Sequence, residues 1–529
     1  MEKKFSFLFL VVVFFLAGCS SDKDEDLSIK GISVNPTSLT LKPEASQSLS
    51  ITIFPDNAAN KAVIWSSSDE SIATVNSSGS VTAIKPGNVV ITVTTVEGNE
   101  KASCSVTVSL NDPITVTGNV EGVWPKYSVV SVNGQINVPV GKKLTIEEGV
   151  EVIISSAGQD ANNTKIEFII NGNLYCYGTE EAPVTFTVPA SERASANTFA
   201  RLWGGIIGSS SCSEMALEYV LIEYTGAVTT KTSPSVAATL FKPDGGEGMV
   251  AFNTNNPSGK YVVINSTFRN NGEDAIYVQG GNCIFANNLF YAVGEAGGEA
   301  INVKAGCKVD AAFNMMYSTN TNALKLTNTG ADGGDRYQAQ INGYNNTIVN
   351  SGWRRDPNKP KGGSVWAESG CLVNIYNNLI INCMFAAKAP MFGVDASDGP
   401  DLNSKIDYNY YASGTAKSEI PQHIANATTT AFDGFKAGIK DVVYGTNDIR
   451  GTAVSDKDPM FENFPFATNS PLASTYNNSW DFHLKTGSPA LTGAYTGFTP
   501  YFSASGITIN GKTYKSPAPA AYFGAFGTK

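Results

Sequence analysis

Between Tyr261 and Pro390 one pattern of short strands and asparagines returns at a nearly fixed interval. Its members read VINSTF (263–268), IFANNLF (284–290), AAFNMM (311–316), YNNTIV (344–349), YNNLII (376–381) and, just beyond, DYNYY (407–411). Aligned on the bend, one column holds Ser266, Asn288, Asn314, Asn346, Asn378 and Asn409, spaced by 22, 26, 32, 32 and 31 residues. A second strand follows most bends: AIYV (275–278), AINV (300–303), ALKL (323–326) and SVWA (364–367). Units of two or three short strands cannot bury an apolar face singly, so they stack as the coils of a solenoid. Asparagine suits a repeated bend because it tolerates left-handed backbone angles and its amide can bond the amide of the next coil. The column residues are therefore expected at the left-handed position.

On these residues the chain resembles the right-handed parallel β-helix of pectate-lyase-like proteins, over roughly residues 113–415. The resemblance implies a fold and no single activity, since such helices serve lyases, hydrolases, adhesins and non-catalytic surface proteins alike.

The rest of the chain surrounds this solenoid. Residues 1–18 carry Lys3 and Lys4, then the apolar run FSFLFLVVVFFLAG, and read as a secretory signal too short for a lasting membrane span. Leu16-Ala17-Gly18-Cys19 resembles the bacterial lipobox, which implies a diacylglyceryl group on Cys19. The acidic linker 19–30 contains Lys23-Asp24-Glu25, which resembles the tag that sends Bacteroidota lipoproteins to the outer face of the outer membrane. The expected place is thus the cell surface, with the lipid as the sole membrane contact.

Residues 31–109 alternate apolar and polar side chains at period two in seven or eight short runs, the pattern of a β-sandwich. With Trp65, Gly79 and Gly87 they resemble the group 2 bacterial Ig-like domain, a module used mostly as a spacer. The fold class expected is therefore all-β, an Ig-like sandwich followed by a β-helix. Residues 113–135 are expected to cover the first coil, and 416–529 to supply C-terminal coils and a cap. Within the cap, EIPQHIANATTTAFDGFKAGI suggests a short helix, and DFHLKTGSPALTGA resembles the final coil of many β-helices.

Composition narrows the function classes. A net charge of −10 with no dense basic cluster excludes nucleic acid as a natural partner. Two histidines, His423 and His483, leave histidine chemistry little material; His483 is expected on a strand, facing solvent or a loop. Of eight cysteines, Cys19 belongs to the anchor, and the remaining seven are no disulfide framework. Cys283, Cys307 and Cys371 each open a coil after a glycine turn and read as small buried hydrophobes. Trp203 in LWGG reads as packed under a turn.

Strand periodicity locates the candidate chemistry. Ile276, Ile301, Leu324 and Val365 form an inward file, as do Val278, Val303, Leu326 and Ala367. Two outward files lie between and beside them: Tyr277, Asn302, Lys325 and Trp366, then Gln279, Lys304, Thr327 and Glu368. Four rungs make a strip roughly 15 Å long, the length of a few sugar rings. Aromatic faces, amides and charges are what an extracellular polysaccharide or host glycan needs, with Tyr277, Asn302, Trp366 and Gln279 as binding candidates.

Insertions 328–340 and 352–363 bring further charge. Lyase chemistry on polyuronides needs a base and positive charge, for which Lys304, Lys325, Arg336, Arg354 and Arg355 are candidates; Asp332 and Asp335 offer oxygen ligands for calcium. Hydrolysis needs two carboxylates flanking the bond, with Glu273, Asp274, Glu299 and Glu368 available. Asp274 and Glu299 fall in register on adjacent coils, where the simpler expectation is that they cap glycine turns. A lyase first, a hydrolase second, and a non-catalytic adhesin or glycan-capture protein are the readings left open. A monomer is expected.

Overall fold

The protein is described from a computed structural model, which covers residues 27–243, 248–295, 297–330, 336–355, 363–414, 440–453 and 455–529. Cys19, Asp332, Asp335, His423 and the predicted short helix lie outside the described residues. The chain divides into two compact units between Ser109 and Leu110.

The first unit is a β-sandwich. A four-stranded sheet contains Ser38–Leu41, Lys101–Val108, Gly87–Thr95 and Val63–Ser67, and a three-stranded sheet contains Ser46–Ser48, Ser80–Ala83 and Ala73–Val75. Alternate residues such as Val89, Ile91 and Val93 point into one core with Val81, Cys104 and Val106. Gly79 shows why its position needs glycine: φ is +81° and a Cβ there would meet the Trp65 ring at 2.8 Å. Gly79→Ala is expected to cost the unit about 1–3 kcal/mol, read as a lower calorimetric melting temperature for the sandwich alone.

The second unit is a right-handed parallel β-helix with three faces. On the face that carries the site, rungs run from Phe168–Ile170 through Ile206–Gly208, Phe252–Thr254, Ile276–Val278, Ile301–Val303 and Asn322–Thr327 to Gly363–Glu368, all parallel. A second face runs from Glu151–Ile154 to Ile449–Arg450. The third face has ten strands, from Gly122–Trp124 to Lys405–Ile406. Residues 114–124 are themselves the first coil, since Ile114–Asn119 and Gly122–Trp124 pair parallel with the strands that follow. They are not a separate cover. The interior is one apolar column in which both predicted inward files are fully buried. Trp203 lies within it, its Nε1 donating to the Glu223 carbonyl at 2.8 Å. All seven described cysteines are free and buried.

The asparagine column is a continuous hydrogen-bond ladder. Each Oδ1 accepts the backbone N–H of the previous rung, from Ser266 onto Asn288 (2.9 Å) up to Asn378 onto Asn409 (3.1 Å). From Asn288 to Asn378, each side-chain NH2 also donates to the next Oδ1 at 2.9–3.0 Å. The left-handed bend lies one residue earlier than expected: Asn265, Asn287, Phe313, Asn345, Asn377 and Tyr408 have φ between 49° and 58°. Turning the chain at that residue aims the next side chain along the stack, so bend and ladder are separate jobs.

Asp448 ends the ladder, its Oδ1 accepting from Asn409 N at 2.7 Å and its Oδ2 from Gly445 N at 2.7 Å. Burial lifts its carboxyl from the usual 3.8 to about 7, against the pull of those two amides. A raised folded-state value favours the protonated form. Its stabilising contribution is therefore complete below about pH 4 and is lost as pH rises through 7. Asp448→Asn turns an NH2 toward one of those two N–H donors, so it is expected to be less stable than the parent at pH 4, with the gap narrowing by pH 8 as Asp448 ionises, measured by urea melts at both values.

The C-terminal segment departs from the expected end coil. Asp481–Leu484 pairs antiparallel with Phe461–Asn463 in a two-stranded ribbon outside the stack. The segment from about 460 onward is a strap that folds back along the second and third faces. Phe461, Phe464, Phe482 and Phe523 pack over Met315, Tyr317, Leu379 and Tyr410. Phe502, Ile507, Ile509 and Tyr514 pack over Ala216, Val262 and Ile284. Buried Asp310 secures it, accepting from the backbone of Tyr501 and Phe502 and from Ser516 Oγ. His483 lies on the ribbon strand, partly exposed, with Nδ1 2.7 Å from Asp481 Oδ1.

Candidate functional site

The outward file has the register that period two implies. Tyr277 stands opposite Asn302, Asn302 opposite Lys325, and Lys325 opposite Trp366. It continues beneath Tyr277 through Asn253, Ile207 and Ile169. It is not an open strip. Leu240 and Phe241, from the insertion before the Phe252–Thr254 rung, pack with Tyr277 on the cluster of Ile169, Ile207 and Val250. Asn302 is 6% exposed and Thr327 fully buried.

The upper rungs are occupied by one another. Lys325 Nζ is ion-paired with Glu368 Oε1, and Trp366 Nε1 donates to Glu368 Oε2 at 2.6 Å. Trp366 lies between lysines of adjacent rungs, Lys325 and Lys388, each ammonium 4.8 Å from the ring centroid. Its faces are therefore committed, and it is no free platform for a sugar. Arg354 also leaves the candidate set. It donates to the carbonyls of Gly294, Val293 and Ser318 and to Ser318 Oγ, all within 3.0 Å, and stacks on Phe199. Burial pushes its guanidinium down to about 10, and it is the bonds to these carbonyls that make it a structural tie.

The lower rungs form a cleft. Its larger part, about 800 Å³, is lined by Leu240, Phe241, Tyr277, Gln279, Asn302, Lys304, the carboxylates Glu273, Asp274 and Glu299, and Arg355. A contiguous end of about 280 Å³ shares Tyr277, Gln279 and Lys304 and adds Asn255, Thr329 and Arg336. Arg336 is held by Asn255 Oδ1 at 2.6 Å through Nη2, while its Nη1 has no hydrogen-bond partner among the described residues. Lys304 Nζ lies 5.4 Å from the Tyr277 ring centroid. Burial, then the like charge of Lys325, lowers the Lys304 ammonium below the usual lysine range and favours the free amine.

The carboxylates have distinct settings. Asp274 does cap a turn: Oδ1 accepts from Gly298 N (3.0 Å) and Glu299 N (2.9 Å), and Oδ2 from Asn302 Nδ2 (2.9 Å). Glu273 accepts from Gly248 N at 3.3 Å and pairs with Arg201 at 2.8 Å. Asp274 and Glu299 also bond each other. Burial and then the Glu299 charge hold Asp274 protonated far above the carboxylate range. Burial works against ionisation of Glu299, yet bonds from Asp274 and Thr321 and the Lys325 charge outweigh it. The two carboxyls are thus pushed in opposite directions, Asp274 toward its neutral form and Glu299 toward its ionised form. Two carboxyls in direct contact cannot flank a glycosidic bond as separate acid and base, which takes a gap of roughly 5–9.5 Å. With Glu273 tied to Arg201 and Glu368 to Lys325, the four carboxylates provide no independent pair. Among the described residues no group of three or more His, Cys, Asp or Glu could hold a metal ion.

Sequence reasoning missed Lys388 and the wall formed by Leu240 and Phe241. Both lie in irregular segments without repeat or alternation to mark them.

Comparison with known proteins identifies the first unit. Residues 28–106 match the bacterial Ig-like domain (group 2). An alpha-L-arabinofuranosidase of Bifidobacterium longum subsp. longum is 28% identical over 260 residues, covering 46% of this chain and 21% of that protein. A lacto-N-biosidase of Bifidobacterium bifidum is 36% identical over 92 residues, 17% of this chain and 8% of that protein. The chain thus spans about a fifth or less of the length of these two curated relatives. A termite-gut GH10 xylanase structure containing a bacterial Ig-like domain covers 35% of this chain and 51% of its own, at 12% identity and a TM-score of 0.12. That score is too low to carry any structural argument.

Proposed function

We propose that the β-helix binds an extracellular polysaccharide in the cleft between Glu273 and Arg336, and that Lys304 is the group able to move a proton there. The carrying observation is the convergence of Tyr277, Gln279, Asn302 and Lys304 on one walled cleft of sugar-ring dimensions. Relatives named as an arabinofuranosidase and a lacto-N-biosidase support a carbohydrate partner. In this reading Cys19 carries the lipid that holds the protein on the outer membrane facing the exterior, and the Ig-like unit is a spacer. The protein acts as a monomer.

Elimination on a polyuronide uses an uncharged amine as base and donors around the developing enolate. Lys304 supplies the amine, and Arg336, Arg355 and Asn302 are the donors at the same cleft. Calcium held by Asp332 and Asp335 would add positive charge. The second reading is glycan capture without turnover, favoured by the mutual engagement of Lys325, Trp366 and Glu368.

An ultraviolet assay for unsaturated uronide on a panel of acidic polysaccharides, with calcium and with chelator, separates them. Elimination predicts absorbance whose rate climbs with pH as Lys304 loses its proton below the usual lysine range, and that Lys304→Ala abolishes. A flat trace with retained glycan binding counts against elimination, and the absence of new reducing ends in a reducing-sugar test then establishes capture.

A further inference from the structure

The left-handed corner between the second and third faces repeats as a column: Tyr219, Asn265, Asn287, Phe313, Asn345, Asn377 and Tyr408. Two of its asparagines hold polypeptide. Asn377 accepts from Tyr495 N and donates to Tyr495 O, both at 2.7 Å, so its amide reads one residue's backbone from both sides. Asn345 accepts from Ala520 N at 3.2 Å and donates to Tyr522 O at 2.6 Å. The strap continues over the adjacent outward file, where Ala525 N donates to Thr347 Oγ1 at 2.9 Å and Gly524 lies against Leu379.

Both columns continue past the strap's border with the same chemistry and no cover. Asn265 is half-buried and Asn287 exposed, and neither side-chain amide has a hydrogen bond among the described residues. Beside them the file Leu221, Thr267 and Leu289 is in register with Met315, Thr347 and Leu379 under the strap. These residues line a groove of about 500 Å³ bordered by Tyr291. Tyr291 is fixed by stacking on Tyr476 of the strap and by its hydroxyl accepting from Arg269 Nη1 at 2.9 Å.

We propose that this groove docks an extended segment of a partner polypeptide, rich in small and aromatic residues. Asn265 and Asn287 bond its backbone as Asn345 and Asn377 bond the strap. Amides that each carry an NH2 donor group and a carbonyl acceptor match the alternating N–H and C=O of an extended chain. The occupied half of the same column shows the mode of binding. The site is on a different face from the polysaccharide cleft and does not depend on that reading.

The test is fluorescence anisotropy of a labelled peptide with the sequence of residues 518–527, titrated with the purified protein and with Asn265→Gly/Asn287→Gly. Glycine keeps the left-handed corner while removing both amides, and an unchanged thermal midpoint confirms folding. Saturable binding weakened at least tenfold in the double variant is expected. Binding that persists in the variant would place the peptide on the strap's own site at Asn345 and Asn377 and overturn the proposal. So would absence of saturable binding. A soluble oligosaccharide that requires Asn265 and Asn287 where the peptide does not would reassign the groove to glycans.

Discussion

Asn346→Ala lowers the unfolding free energy of the β-helix by about 3–5 kcal/mol, read as a drop in urea midpoint for the second unit. The side chain is fully buried at the centre of the ladder. Its Oδ1 accepts from Asn314 N and Nδ2, and its Nδ2 donates to Ala311 O and Asn378 Oδ1, all between 2.9 and 3.0 Å. Alanine removes these four hydrogen bonds to two neighbouring coils in a site closed to water, and Asn314 N loses the acceptor it has in the ladder. Asn287→Ala is the contrast. That residue supplies only the left-handed bend (φ 57°), so about 1–2 kcal/mol is expected. Equal losses at the two positions would show that the ladder carries no special share of the stability.

Tyr277→Ala weakens polysaccharide binding about 10- to 30-fold, measured by calorimetry or affinity electrophoresis. Tyr277 is partly exposed and lines the cleft together with Leu240 and Phe241. Trp366→Ala changes binding less than threefold, because Lys325 and Lys388 already occupy its faces. A larger loss at Trp366 than at Tyr277 would move the binding site up the file and contradict the cleft.

What could be read from the sequence follows from what repeats. A coil must return to the same register, so the spacing of Asn288, Asn314, Asn346 and Asn378 announces the stack. Period two then separates Ile276 from Tyr277 without any structure. The same logic stops at the bend, because Asn287-Asn288, Asn345-Asn346 and Asn377-Asn378 are pairs of identical residues with different backbone angles. Composition cannot say which turns the chain. Periodicity also shows that a side chain leaves the core, but not what it meets outside. Lys325, Trp366 and Glu368 point outward as expected and bind each other, and Arg354 is spent on carbonyls of neighbouring coils. The strap was hidden for the same reason. Its contacts join residues 460–529 to coils dozens to hundreds of positions earlier, and aromatic residues in an irregular tail carry no mark of the face they cover. The Asp274–Glu299 pair was legible as a register, but the opposed shifts of its two carboxyls come from burial that only the folded cleft provides.

Hydrogen–deuterium exchange of the protein, with and without the tightest polysaccharide found in the panel, tests the central claim most directly. The account predicts added protection in peptides covering 273–279 and 299–305, and little change on the second and third faces. Protection confined to the Ig-like unit, or to another face of the β-helix, would contradict it.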